Sequence, residues 1–149
     1  MSLSPSLGNL NALMASFNAT AGNAVFTFLD GDSTSNWESM HDAINGWKTA
    51  NTLSALDLRS VITLSDGTVA YDSSKSNNSH ANYTAKNINE NHNSRVAILQ
   101  ALLGNSGVGF ETKYSTSTNK MSYYLAQRVG NSNSDTMGVI RISVSQFDQ

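Results

Sequence analysis

The sequence predicts an α+β protein, a five-stranded antiparallel sheet with a long N-terminal helix packed on one face, and three observations carry that expectation. Three strand-like runs, Val108 to Ser115, Met121 to Val129 and Met137 to Val144, follow one another with only short Ser, Thr, Asn and Gly clusters between them, the pattern of an antiparallel meander. A smaller pair, Ser60 to Leu64 and Thr68 to Asp72, flanks Ser65-Asp66-Gly67, whose Asp-Gly step tolerates the backbone angles of a tight hairpin. Finally, Leu3, Leu7, Leu10, Met14, Phe17, Ala21, Ala24 and Phe28 step by three or four residues, which places them on one stripe of a single helix.

Composition bounds the rest. A chain of 149 residues reads as one domain, 1–149, with a helical region 1–59 and a sheet core 60–145. Charged residues make up only 13% of it, so the solvated surface must rest on Ser, Asn and Thr. A net charge of -2 without a basic run argues against nucleic acid as a partner. The lack of cysteine rules out disulfides, thiolate metal sites and a cysteine nucleophile. No apolar run is long enough for this segment to insert into a membrane, and no motif calls for a cofactor or a metal.

Within the N-terminal region, Gly22-Asn23 is the weak point of the first helix, since Gly costs about 1 kcal/mol in a helix interior. Were the helix to end there, Val25 to Leu29 would read as a short strand. The box Ser35-Asn36-Trp37-Glu38 is suited to open a second helix running to about Lys48, with Trp37, Met40, Ile44 and Trp47 on its apolar face. Thr49 to Arg59 leads into the first strand. Ser73 to Glu90 has almost no apolar residue and reads as a long, mobile loop over the sheet. A third helix, Asn93 to Leu103, is expected to bury Val96, Leu99, Leu102 and Leu103 and to end in a left-handed cap at Gly104. Alternation puts Tyr123, Leu125 and Val129 on one face of the fourth strand and Tyr124, Ala126 and Arg128 on the other. In the last strand it separates Ile140, Ile142 and Val144 from Val139, Arg141 and Ser143. The first helix and the polar loop are the expected covers of the two faces.

Asp66-Gly67-Thr68-Val69-Ala70-Tyr71-Asp72-Ser73, Asn91-His92-Asn93-Ser94-Arg95, the Tyr- and Ala-bearing run from Met121 to Val129, and Gly138-Val139-Ile140-Arg141-Ile142-Ser143 stand in an informative order. Together they resemble the PAS-like extracytoplasmic sensor domains of bacterial receptors such as sensor histidine kinases, the single Cache (PDC) family. The resemblance covers about Ser60 to Ser145, and the first helix agrees with a stalk helix. One departure is that Val96-Ala97 follow Arg95, where those domains commonly carry Pro and Glu. The resemblance implies signal transduction by ligand binding without catalysis and an ectodomain outside the cytoplasm; dimerisation through the long helix is expected on this reading and on its alternative alike. A soluble free-standing module of the same fold, structural or interacting and without a ligand, is the alternative.

Arg95, near a helix start, is placed to clamp a carboxylate or phosphate, or else to pair with a structural acid such as Asp72. His92 offers a ligand contact or a charge change near neutrality. Tyr71, Tyr114, Tyr124 and Arg128 complete the candidate ligand-binding set, and Arg141, in the closing strand, is read as pairing structurally or transmitting a change. Catalytic residues are not expected. A competing enzyme reading takes Val25 to Leu29 as a strand ending in Asp30-Gly31-Asp32-Ser33-Thr34, the opening motif of haloacid-dehalogenase-type phosphatases, with Asp30 as nucleophile and Asp32 as acid and base. The late magnesium-binding acids and the Lys of that chemistry have no visible counterpart. Asp30-Gly31-Asp32 is better read as a turn between helices.

Overall fold

The computed structural model describes residues 7–51, 57–130 and 135–147; Leu3 and residues 52–56 of the predicted lead-in lie outside them. The chain opens with α1 (Leu7–Phe17), a π-helical turn (Asn18–Gly22) and α2 (Asn23–Asp30), which together make one uninterrupted helical rod. Leu10, Phe17, Ala21 and Val25 are fully buried along it, with Met14 and Phe28 nearly so. Burying side chains such as Phe17, Val25 and Phe28 is worth about 1.5–3 kcal/mol each, which outweighs the cost of Gly22 in the interior. The helix therefore survives its weak point, but with a widened turn. That turn rotates the stripe so that Val25 enters the core and Ala24 sits beside it.

A Gly31–Ser33 link leads into α3 (Thr34–Ala50). The cap lies two residues earlier than predicted: the Ser33 side chain, not Ser35, accepts the amide of Asn36, at 3.1 Å. Trp37, Met40, Ile44 and Trp47 form the buried face, as their spacing predicts. Trp47 locks α3 to α1, its ring edge-on to Phe17 at 5.0 Å and its Nε1–H donating to Ser16 Oγ at 2.9 Å.

The sheet comprises β1 (Asp57–Leu64), β2 (Val69–Asp72), β3 (Val108–Ser115), β4 (Lys120–Gly130) and β5 (Thr136–Phe147), ordered β2-β1-β5-β4-β3 with every neighbouring pair antiparallel. The hairpin turns at Gly67, where φ is +88° and a side chain would also strike Asn93, 2.5 Å from the site of a Cβ. Leu58, Ile62, Leu125, Ile140, Ile142 and Val144 join the helical rod and α3 in the main core. The predicted alternation of β4 and β5 holds.

The opposite face is covered differently from expectation. Between β2 and β3 lie α4 (His80–Thr84) and α5 (Val96–Leu103). Residues 73–90 do not form a loose loop across the sheet; they fold around α4 against α3 and β2. Asn and Tyr side chains replace the missing apolar ones. Tyr83 Oη accepts the amide of Asp72 at 2.8 Å and donates to Asn78 Oδ1 at 2.6 Å, while Asn78 Nδ2 donates to the Asp72 carbonyl. Next, the 90–92 segment runs along the outer edge of β2, with Val69 N–H donating to the Glu90 carbonyl and His92 N–H to that of Gly67.

The half of the sheet at β3, β4 and β5 is covered by α5, which buries Ala97, Ile98 and Ala101 against Ala126 and Val139. This corrects the predicted face: Val96, Leu99 and Leu103 are exposed and Leu102 is only half-buried. The helix is apolar almost all round, so the small residues decide which side docks. Gly109 of β3 lets the backbone of Ala97 approach until a Cβ there would lie 1.8 Å from its carbonyl oxygen. Gly104 ends α5 in an extended conformation, and the left-handed step falls instead at Gly107, φ +68°.

Candidate functional site

Short of α5, the second face of the sheet is left open as a polar cup of about 320 Å³. Its floor is Arg59 of β1, Arg141 of β5, Tyr124 of β4, and Glu111 and Lys113 of β3; Glu90, His92, Ser94, Arg95 and Val96 make the wall. Strand alternation explains the floor. Val61 pairs with Arg141, Ala126 with Arg141 and Glu111 with Tyr124, so the odd residues of β1, β3 and β5 share a face with the even residues of β4.

Cations dominate this cup, and they differ in how they are satisfied. Arg59 is bound in a fork to Asp72, with Nε–Oδ1 at 3.0 Å and Nη2–Oδ2 at 2.5 Å. Burial pushes the Asp72 carboxyl up, but the Arg59 fork and the amide and hydroxyl of Ser74 outweigh it and hold it down at about 2. Glu90 pairs with Lys75 at 2.9 Å and stands 3.5 Å from His92 Nε2.

Arg141 has no such partner. It is 4% exposed, no ion pair reaches it among the described residues, its Nε lacks a hydrogen-bond partner, and its guanidinium carbon stacks 4.8 Å above the Tyr124 ring. Burial, then repulsion from Arg59, lowers its pKa to about 10, which still leaves it charged at neutral pH. Burial also brings His92 down to about 4, helped by the positive charges of Arg141 and Arg95 and opposed by Glu90. A buried guanidinium without a counter-charge costs several kcal/mol unless something polar meets it. Together with Arg95 at the start of α5, it makes the cup suited to a small anion.

Of the predicted ligand residues, the fold brings His92, Arg95 and Tyr124 together in the cup. Asp72 stands behind it as the partner of Arg59, so the predicted pairing of Asp72 with Arg95 is replaced. Tyr71 is corrected: it is fully buried in the main core against Trp37 and His41, and burial drives its hydroxyl pKa upward. Tyr114 is exposed at the far end of β3, where its hydroxyl donates to Asn119. Arg128 donates to the Gly104 carbonyl at 2.9 Å, tying β4 to the end of α5, and does not line the cup. Arg141, expected to pair structurally or to transmit a change, is central to it. Arg59, Glu90, Glu111 and Lys113 escaped notice; Arg59 fell just short of the strand expected from Ser60, and its place on the face of Arg141 follows from the pairing of β1 with β5.

The phosphatase reading loses its strand, because Val25 to Leu29 is helical. Asp32 instead accepts from, or pairs with, His80 Nε2 at 2.6 Å, and Thr34 Oγ1 lies 2.9 Å from His80 Nδ1, so the turn between α2 and α3 is strapped to α4. Among the described residues, no group of three or more His, Asp or Glu is arranged to hold a metal, and no helix is long and apolar enough to cross a membrane. No protein-family model matches the chain, and neither does any curated protein.

Proposed function

We propose that this is a PAS-like, Cache-type sensor domain that binds a small anionic or polar ligand in the cup, without catalysis, as the extracytoplasmic part of a signal-transduction receptor. The observation that carries this reading is Arg141, a nearly fully buried guanidinium facing the cup with no ion-pair partner among the described residues. The order of hairpin, helix and three-stranded meander, in an open antiparallel five-stranded sheet, supports the fold assignment. A ligand's carboxylate or phosphate would bridge Arg141 and Arg95, with Tyr124 and Ser94 offering hydroxyls beside it. Because Arg95 opens α5 and Arg141 lies in the central strand, occupancy would tighten α5 onto the sheet.

The test is a thermal-shift panel of phosphate, mono- and dicarboxylates and amino acids, run on the wild type and on Arg95→Ala and Arg141→Met. A ligand at 100 times its Kd adds about 2.7 kcal/mol, a rise of several degrees for a chain of this size. The reading predicts such a rise for at least one anion and its loss in both variants. A flat panel, or a rise that both variants retain, favours the ligand-free module instead.

A further inference from the structure

The two edges of the sheet are finished differently. The 90–92 segment closes the β2 edge through its hydrogen bonds to Gly67 and Val69, whereas β3 is covered for only part of its length. Gly107 accepts the amide of Arg128, which fixes the odd residues of β3 as those bonded to β4 and turns the backbone groups of Phe110, Thr112 and Tyr114 outward. The Phe110 N–H is capped by Gln100 Oε1 of α5 at 2.9 Å. Beyond it, no described group pairs the outward amides of Thr112 and Tyr114, and both residues are exposed. An open strand edge of this kind is a template for another strand.

The residues on that edge fit themselves. We propose that two copies of this chain associate through β3 in antiparallel register about Thr112, giving a continuous ten-stranded sheet. In this register Thr112 faces Thr112, Glu111 faces Lys113 of the second copy and Lys113 faces Glu111, while Phe110 meets Tyr114 on the other face. Thr112 exchanges two backbone bonds with its counterpart. Each Tyr114 N–H donates to a Phe110 carbonyl of the second copy, and Gln100 keeps the Phe110 amides. Neither Glu111 nor Lys113 makes an ion pair within the described residues, so pairing gives both a partner that they lack alone. A twofold axis perpendicular to the sheet leaves both cups on the same side, each rimmed by the charges that cross the seam. The pairing needs no ligand and does not rest on the proposed sensor role.

Sedimentation of the whole chain over a concentration series tests it, with circular dichroism confirming that each variant folds. The wild type should sediment as a dimer that dissociates on dilution. Thr112→Pro, which removes an outward amide, should be monomeric. Glu111→Lys, which sets like charges opposite one another twice, should raise the dissociation constant about tenfold or more at low salt. Glu111→Lys combined with Lys113→Glu should restore the dimer, since the reversed pattern is again complementary. A wild type that stays monomeric throughout overturns the proposal, as does a dimer that Glu111→Lys leaves unchanged or that the double reversal fails to recover.

Discussion

One side chain distinguishes the two faces of this sheet. Arg141 occupies a position in β5 between Ile140 and Ile142, both of which serve the main core, yet it points to the opposite side and finds Tyr124 and, among the described residues, no ion-pair partner. A side chain kept in so costly a place contributes little to folding. Arg141→Met should therefore raise the unfolding free energy of the ligand-free protein by about 1–3 kcal/mol in urea titrations while abolishing anion binding. A structural arginine would behave oppositely, losing stability on the same change. His92 reports on the same field. Its proton is disfavoured by burial and by Arg141 and Arg95, so an anion in the cup should raise its pKa from about 4, measurable by NMR titration of the imidazole with and without phosphate. Several of these residues were legible as residue types and not as a cluster. The Asn-His-x-x-Arg run and the Tyr of β4 announced polar chemistry, whereas Lys113 and Glu111 join the cup only through the register of β3 with β4.

At the scale of elements, spacing was informative where apolar periodicity was strong and failed where the helix had no polar side. The rod and α3 present clear stripes, and the structure buries them. By contrast α5, Val-Ala-Ile-Leu-Gln-Ala-Leu-Leu, has apolar residues all round, and its docking face is set by a glycine on another element. Gly109→Ala should separate α5 from β3 and cost at least about 2–3 kcal/mol in denaturant unfolding, far above the effect of an exposed-strand substitution. The cap of α3 is equally specific. Ser33→Ala should cost about 1 kcal/mol and Ser35→Ala only a few tenths, a contrast that reverses if the box beginning at Ser35 opened the helix. Residues 73–90 misled because a short segment without apolar residues normally stays loose. Here Tyr83, Asn78 and Asn82 supply the cross-links through hydrogen bonds, which hydropathy does not register.

For the whole molecule, the titrations of two buried groups, His92 and Asp72, weaken stability in acid. His92 has a folded pKa of about 4 against an ordinary 6.5, so below pH 6.5 the unfolded chain takes up a proton that the folded one refuses. Stability should fall by on the order of 3 kcal/mol between pH 6.5 and pH 4. Asp72, held at about 2 against 3.8, adds a second loss of about 2 kcal/mol as pH drops from 4 to 2. Melting temperature against pH should thus show two limbs, and His92→Gln should remove the upper one only. The order of strands along the chain foretold the antiparallel sheet, because consecutive strands joined by short turns pair with one another. That β5 would insert between β1 and β4, bringing Arg59 beside Arg141, depended on long-range pairing that no local signal carries. We propose that the cup formed by that insertion holds an anion on Arg141. The most direct measurement is an NMR titration of the arginine Nε–H resonances with phosphate and carboxylates. The account predicts a saturable shift of Arg141 together with Arg95; an Arg141 resonance indifferent to every anion, while exposed lysines alone respond, would contradict it.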